Sequence, residues 1–197
     1  MIIIGITGPT GAGKTTVLNV LKEFGTVILD CDAVYHRLTE ECIPMRQELA
    51  ERYGAEIFDE NGQLLRKVLG SVVFGDEKAL ADLNEITHRY VYQAVEDAIA
   101  KAKQERRPAV AVDAIALLES GLGALCDTTV AVTADDELRV RRIMARDYIS
   151  EEYARKRVEA QKNSCWFEEH CTHTLRNDGM PSEIEAQART LFETMII

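Results

Sequence analysis

The stretch Met1-Ile-Ile-Ile-Gly-Ile-Thr7-Gly8-Pro-Thr-Gly-Ala-Gly-Lys14-Thr15-Thr16 decides the fold. Its first seven residues form an isoleucine-rich apolar run, which predicts a strand buried on both faces of a parallel sheet. A glycine-rich turn follows at once. From Lys14 to Phe24 the apolar residues recur on one face, which predicts a helix that ends at Gly25.

The same order of strand and helix recurs along the chain. Further short strands are predicted at Thr26–Asp30, Pro108–Asp113, Thr128–Thr133 and His173–Arg176. Residues 33–54 and 64–103 are predicted to be mainly helical, with breaks near Pro44 and Gly75. Helices are also predicted at residues 135–147, from Ser150 onward and toward Met195. This pattern predicts an α/β protein whose parallel strands are joined by right-handed crossovers.

The turn Gly8-Pro-Thr-Gly-Ala-Gly-Lys-Thr15 fits the G-x-x-x-x-G-K-[ST] pattern of a phosphate-binding loop (P-loop) in full. Glycines let successive N–H groups point at phosphate oxygens, and the N-terminus of the following helix adds a partial positive charge. Lys14 is expected to reach the β- and γ-phosphates of ATP, and Thr15 to supply a hydroxyl to Mg²⁺. The residues expected to bind ATP in this loop are Gly8, Gly11, Ala12, Gly13, Lys14, Thr15 and Thr16.

A P-loop by itself does not distinguish a kinase from a GTPase or an ATPase. The sequence has no Asn-Lys-x-Asp motif of the kind that usually reads guanine, and 197 residues are few for a motor or transport ATPase. The sequence therefore favours a P-loop kinase with a three-layer α/β/α parallel sheet.

The amino-acid composition limits which binding partners and which cellular compartment we expect for this protein. The formal net charge of −10, from 33 acidic and 23 basic side chains, disfavours nucleic acid and anionic membranes as partners. No apolar run approaches the roughly 20 residues of a membrane span, and no signal peptide is visible. The five cysteines are odd in number and lack a disulfide framework spacing. We therefore expect a cytoplasmic protein without an obligate protein partner.

Three aspartates lie at or just after the ends of predicted strands. Asp32 comes just after the second strand, where a carboxylate can accept the proton of an acceptor hydroxyl; alternatively it only caps the next helix. The neighbouring Asp30 could order Mg²⁺ through water or be structural. Asp113 ends the third strand, where a second Mg²⁺-ordering carboxylate often lies in P-loop proteins; alternatively it is a strand-end carboxylate without a catalytic role.

Arg139, Arg142 and Arg146 share one face of the helix predicted at residues 135–147. We expect Thr133 and Asp136 to form a capping box at the start of this helix. A basic face near a transferred phosphate stabilises the charge of the transition state. We assign that role to Arg142 and Arg146 and leave Arg139 as a solvated residue.

With these residues in place, the chain resembles the dephospho-coenzyme A kinase family over roughly residues 3–179. The matching segments occur in the family's order. They are Gly5-Ile-Thr-Gly8, Leu29-Asp-Cys-Asp-Ala33, Phe58-Asp-Glu-Asn-Gly-Gln-Leu-Leu-Arg66-Lys67, Leu83-Asn-Glu-Ile-Thr-His88, Arg142-Ile-Met-Ala-Arg146-Asp147, Ala160-Gln161 and Asn177-Asp-Gly179. The resemblance implies transfer of the γ-phosphate of ATP, with Mg²⁺, to the ribose 3′-hydroxyl of dephospho-coenzyme A.

The resemblance also implies the domain layout. We expect one P-loop kinase domain over residues 1–197, with a core at about 1–35, 105–147 and 171–197. A helical insertion at about 36–104 would bind the acceptor, and a small helical lid at about 148–170 would close over ATP.

The site residues follow by the same resemblance. Asp32, Lys14, Arg142 and Thr7 would be catalytic, although Thr7 could instead bond the backbone at its strand end. Arg146, Asn177 and Gly179 would contact ATP. Asp32, Arg66, His88 and Asp113 would hold the acceptor.

The sequence departs from the family pattern at three places. Arg89 stands where the family commonly has Pro, Asp113-Ala-Ile-Ala-Leu-Leu-Glu119 replaces Asp-x-Pro-Leu-Leu-Phe-Glu, and Phe167 stands where a lid Lys is usual. Two alternatives therefore stay open: a kinase of another nucleoside or nucleotide, and a nucleotide-binding regulator without catalysis.

Overall fold

The computed structural model describes residues 1–196; Ile197, the last residue of the expected domain, lies outside them. Five strands form one sheet in the order β2-β3-β1-β4-β5. The strands are β1 (Ile2–Thr7), β2 (Val27–Asp30), β3 (Ala109–Asp113), β4 (Thr128–Thr133) and β5 (His173–Arg176). β1 pairs in parallel with β3 and β4, and β4 pairs in parallel with β5. The predicted α/β fold and its parallel sheet are confirmed.

Helices join these strands and flank the sheet. They are α1 (Lys14–Glu23), α2 (Cys31–Glu41), α3 (Ile43–Tyr53), α4 (Arg66–Val73), α5 (Glu77–Gln104), α6 (Asp136–Asp147), α7 (Glu151–Glu159), α8 (Ser164–His170) and α9 (Pro181–Ile196). The chain leaves the helical state at Cys42, because Pro44 can occupy only the first turn of a helix without breaking its hydrogen bonds. The second predicted break falls between α4 and α5, at Gly75.

The chain forms two compact units. The first contains Met1–Leu29 and the chain from Ile99 onward, and the second contains Asp30–Ala98. Each has its own apolar core. In the first, side chains of β1, α1 and α9 pack around Ile4, Ile6 and Phe192. The second, built around Met45 and Leu49, overlaps the insertion expected at about residues 36–104; the residues of the expected lid lie in the first unit.

One predicted helix start is wrong. The N-cap of α6 is Asp135, whose carboxylate accepts hydrogen bonds from the backbone N–H groups of Glu137 (3.0 Å) and Leu138 (3.3 Å). Thr133 is the last residue of β4, two positions too early to cap α6, and its hydroxyl donates to Glu168 instead. The capping box of Thr133 and Asp136 therefore does not form.

Within residues 1–196, none of the helices has the length and apolar character that crossing a membrane would need.

Candidate active site

The P-loop joins β1 to α1 and depends on its glycines. Gly8, Gly11 and Gly13 have φ of 137°, 83° and 99°, a region that other L-residues rarely adopt. Space is also restricted: a Cβ on Gly8 would lie 2.0 Å from the carbonyl oxygen of Val132, and one on Gly13 would lie 2.2 Å from Nδ2 of Asn177. The glycines are therefore required both by backbone conformation and by close packing.

Three side chains hold three successive carbonyl groups of the loop. Arg139 Nε donates to the oxygen of Thr10 (3.0 Å), and Arg142 Nη1 donates to that of Gly11 (3.4 Å). Asn177 Nδ2 donates to the oxygen of Ala12 (2.7 Å).

The C=O and N–H of a trans peptide point in opposite directions. Holding these three carbonyls on one side therefore turns the N–H groups of Gly11 and Gly13 to the other. The amide of Ala12 lies on that side as well and bonds to the oxygen of Pro9 (3.2 Å). The loop is thus braced from outside, which leaves its concave side to a phosphate ligand.

The start of α1 also suits an anion. Its N-cap is Gly13, no side chain caps it, and its first turn contains no acidic residue. The helices α2, α6, α7 and α8 differ, because side chains of Asp30, Asp135, Ser150 and Asn163 cap them. Lys14 Nζ donates to the oxygen of Gly8 (3.0 Å), and Thr15 is exposed in the first turn. The first N–H groups of α1 and a lysine ammonium therefore meet at the loop.

Arg142 and Arg139 both contact the P-loop. Nη2 of Arg142 also donates to the oxygen of Asn177 (3.0 Å). Burial lowers the pKa of Arg142 and the Asp178 carboxylate opposes that shift, yet within residues 1–196 no carboxylate forms a salt bridge with it. Arg139 is completely buried. The expectation that Arg139 is solvated is wrong, because tertiary contacts with the loop cover this part of α6.

Arg146 has different surroundings from Arg142. It is exposed and makes two hydrogen bonds to the carboxylate of Asp147 (2.7 and 2.9 Å), which raise the pKa of Arg146. Arg157 of α7 donates to the same carboxylate at 2.6 Å. The structure therefore brings Arg142 to the loop and pairs Arg146 with Asp147.

Basic residues of the predicted lid are largely paired as well. Arg155 bonds to Glu137 and Glu151, and Lys156 to Glu152. Phe167, which departs from the family's lysine, is a buried residue of α8. A lysine there would bury its charge, so the departure follows from packing.

The ends of β1 and β3 lie side by side, because Ile6 is the register partner of Asp113. Thr7 is fully buried, and its hydroxyl donates to the oxygen of Ile115 at 3.0 Å. Thr7 therefore makes the side-chain bond to the backbone that was expected as the alternative to a catalytic role.

Asn177 and Gly179 lie in the connection from β5 to α9. Asn177 is buried, and its backbone N–H donates to the oxygen of Thr133 at 2.8 Å. Asp178 accepts from Arg176 Nε (2.6 Å) and from the N–H of Asp135 (2.7 Å), and its pKa is lowered chiefly by Arg176. Gly179 is exposed.

In the second unit, the two aspartates near the start of α2 have different surroundings. Asp30 is the N-cap, and its Oδ1 accepts from the N–H of Ala33 at 3.0 Å. Asp32 lies in the first turn of α2, exposed, and its carboxylate has no hydrogen-bond partner within the described residues. The alternative that Asp32 caps the helix is therefore wrong, since Asp30 has that role.

Arg66, at the start of α4, bonds to a histidine that sequence reasoning missed. Its Nη2 lies 2.6 Å from Nδ1 of His36, and because a guanidinium can only donate, this nitrogen must accept. Burial raises the pKa of the adjacent Tyr35, and Arg66 partly opposes that rise. The signal for His36 was its spacing, because it lies four residues after Asp32 on the same face of α2. His88 is half-buried on α5.

Gln161 is the second residue that sequence reasoning missed, because the Ala160-Gln161 match to the family pattern did not indicate a role for it. It follows α7 and contacts Thr10 of the P-loop with both ends of its amide. Only the tertiary structure shows this contact.

A parallel sheet whose first strand enters a complete P-loop, with basic side chains around it, defines a P-loop kinase. The family model described as dephospho-CoA kinase matches residues 2–183. The chain therefore belongs to the dephospho-CoA kinase family, phosphotransferases that act on an alcohol group in the last step of coenzyme A synthesis.

Individual relatives agree with this assignment. A dephospho-CoA kinase of Dehalococcoides mccartyi is 36% identical over 161 residues, which cover 82% of this chain and 81% of that protein. A crystal structure from Thermus thermophilus is 30% identical, with a TM-score of 0.81 and coverage of 98% of this chain and 97% of that one. A dephospho-CoA kinase structure from Campylobacter jejuni is 20% identical, covers 98% of this chain and 96% of that one, and shares the fold with a TM-score of 0.72.

Proposed function

We propose that the P-loop holds ATP while Asp32 accepts the proton of the ribose 3′-hydroxyl of dephospho-coenzyme A. The observation that carries this proposal is the loop itself, whose carbonyls at Thr10, Gly11 and Ala12 are held outward by three side chains. Its inner amides and the uncapped start of α1 then receive the phosphates.

On the donor side, the charged groups neutralise the phosphoryl group as it moves. Lys14 contacts the β- and γ-phosphates. Arg142, whose guanidinium bonds to the carbonyls of Gly11 and Asn177 in this structure, leaves them when ATP binds and stabilises the transferred charge. Thr7 supports the end of β1 through its bond to Ile115. Thr16 lies in the first turn of α1, and we expect it to contact the phosphates of ATP as well.

The residues present suit Mg²⁺. The exposed hydroxyl of Thr15 follows Lys14 directly, and Asp113 ends the strand beside β1. Mg²⁺ bound with ATP would neutralise phosphate charge, and Thr15 is the side chain we expect to hold it, with Asp113 ordering its surroundings.

For the base, the surroundings of Asp32 are the support. Because Asp30 caps α2, the Asp32 carboxylate is exposed and has no hydrogen-bond partner in the described part of the chain. An exposed carboxylate of this kind can orient an acceptor hydroxyl for in-line attack and take its proton.

Arg66 is the residue we expect to bind the phosphate groups of the acceptor, together with His88. The ring of His36 holds the Arg66 guanidinium in place at 2.6 Å. Arginine suits phosphate because its planar fork donates two parallel hydrogen bonds.

At the nucleotide's other end, we expect Asn177 and Gly179 to lie beside the adenine. Arg146, freed from Asp147, would reach the phosphates when ATP binds. We place the protein in the cytoplasm, on the odd number and spacing of its cysteines.

The acceptor is tested by measuring ADP release in a coupled assay over a panel of acceptors. We expect the highest kcat/KM with dephospho-coenzyme A. Faster turnover of a nucleoside or nucleotide would instead support a kinase with another acceptor. Tight ATP binding without transfer to any acceptor would indicate a regulator.

A further inference from the structure

Every polar group of Thr10, the third residue of the P-loop, is bonded to one of two side chains. Gln161 Oε1 accepts from the backbone N–H of Thr10, and Gln161 Nε2 donates to its hydroxyl, both at 2.9 Å. Arg139 Nε donates to the Thr10 carbonyl at 3.0 Å. The two side chains also bond to each other, Arg139 Nη2 to Gln161 Oε1, at 3.3 Å.

The surroundings of Arg139 make this arrangement specific. The side chain is completely buried, and its Nη1 is paired with Asp136 at 2.6 Å. A buried guanidinium is strongly unfavourable unless it is paired and hydrogen-bonded, so Arg139 keeps its place only while its partners keep theirs. Gln161 supplies one of those partners from the end of α7.

We propose that Gln161 and Arg139 are positioning residues of the nucleotide site. By holding Thr10, they fix the peptide between Thr10 and Gly11, whose carbonyl points to Arg139 and whose N–H therefore points into the loop. This inference rests on the proposed function of the P-loop as the ATP site. It adds that the orientation of the loop depends on the chain segment that follows α7.

The single tryptophan of the chain is a natural reporter of this segment. Trp166 lies five residues after Gln161, at the start of α8, and Lys162 Nζ lies 5.5 Å from its ring. Its fluorescence can follow ADP binding to the free protein, independently of turnover.

The test replaces Gln161 with Met, which keeps the length of the side chain and removes its hydrogen bonds. We expect Gln161→Met to raise the Kd for ADP and the KM for ATP about tenfold or more, since bonds in a charged network are lost. The KM for dephospho-coenzyme A should stay within twofold. The matched control is Glu159→Ala at the end of α7, whose side chain makes no hydrogen bond or ion pair within residues 1–196.

Thr10 provides an independent second test. Thr10→Val loses only the hydroxyl bond, and Thr10→Ser keeps it, so the serine variant should bind ADP more tightly than the valine variant. Combined with Gln161→Met, Thr10→Val should add almost nothing to the loss, because the shared bond is already gone.

Two results would overturn the proposal. The first is that Gln161→Met binds ADP with the wild-type Kd or with a lower one. A lower Kd would show that Gln161 competes with the phosphate for the Thr10 amide. The other is an equal loss in Glu159→Ala. Lys14→Ala is measured in parallel. If Lys14→Ala loses turnover while Gln161→Met binds ADP normally, only the positioning role of Gln161 is wrong. If Lys14→Ala is fully active, the assignment of the ATP site itself is wrong.

Discussion

Asp30 and Asp32 are two residues apart, yet their carboxylates have different surroundings. Asp30 bonds to the N–H of Ala33 as the N-cap of α2, and Asp32 is exposed in the first turn of that helix. Substitutions at these neighbours should therefore separate a stability effect from an effect on the chemical step.

We expect Asp32→Asn to lower kcat by about 10²–10⁴ in single-turnover experiments, because a general base is lost. The melting temperature and ATP affinity should hardly change. Asp30→Ala should instead cost about 1 kcal/mol of stability through the lost cap, or a few degrees in Tm. If the rate loss of Asp32→Asn merely followed a lower Tm, Asp32 would have no part in the mechanism.

Lys14 is the residue on which the ATP site depends most directly. We expect Lys14→Ala to abolish turnover, because the cation that neutralises the β- and γ-phosphates is lost. The fold should survive, since Lys14 begins α1 outside the apolar core. Circular dichroism confirms folding, and ADP release measures activity. A folded variant within tenfold of wild type would contradict the P-loop assignment.

Among the elements, α5 shows how one departure from the family pattern is accommodated. Arg89, where the family commonly has Pro, lies within a helix of 28 residues that has no break there. A proline at that position would remove a helical hydrogen bond and disturb the preceding turn. Arg89 instead bonds to Glu48 of α3 at 2.5 Å and lies 5.3 Å from the ring of Tyr90. The helix therefore continues through this position, and the contacts of Arg89 with Glu48 and Tyr90 lie within the second unit.

The junction between β5 and α6 depends on one carboxylate, Asp178, which bonds to Arg176 and to the N–H of Asp135, the cap of α6. These partners lower the pKa of Asp178 in the folded protein. Its contribution to stability is therefore present above the unfolded-state pKa of about 3.9 and is lost as pH falls through the lower, folded-state value.

We expect Asp178→Asn to cost about 1 kcal/mol at pH 7 and progressively less below about pH 4, as the wild-type carboxylate also becomes neutral. Urea unfolding of both proteins from pH 7 to pH 3 measures the difference. Glu105→Gln, at an exposed carboxylate, is the control. A difference that stays constant down to pH 3 would contradict the role assigned to Asp178.

At the scale of the whole molecule, the residues of the proposed active site are divided between two units with separate cores. The P-loop and its braces belong to the first unit, and Asp32, His36 and Arg66 belong to the second. The net charge of −10 repels anions in general, so local cations and backbone amides must attract the substrates.

This division predicts which ligand protects which unit in hydrogen exchange. We expect ADP to slow exchange at residues 8–16 and around Arg142, because bound phosphates reduce opening of the loop. Dephospho-coenzyme A alone should slow exchange in α2 and α4. Exchange is read by mass spectrometry of peptides with each ligand separately. Protection by dephospho-coenzyme A confined to the first unit would contradict the acceptor site proposed around Arg66.

The sequence by itself determined the strands, the P-loop and the family, because these depend on near neighbours. A buried apolar run, glycines at fixed spacing and a following helix form one local pattern, and the structure has β1, the loop and α1 where that pattern predicts them. The helix cap of α6 was not predicted correctly from the sequence. The prediction assigned it to Thr133 and Asp136, whereas the N-cap is Asp135.

Only the tertiary structure decided how the loop is held. Arg139 and Asn177 reach it from 129 and 165 residues away, and Gln161 from 151. A charged residue on a helix resembles a solvated one until packing covers it, so sequence spacing could not separate the buried Arg139 from the exposed Arg146. The physical reason is that burial and hydrogen-bond partners depend on which distant segments meet, whereas strand, turn and helix patterns are set within a few residues.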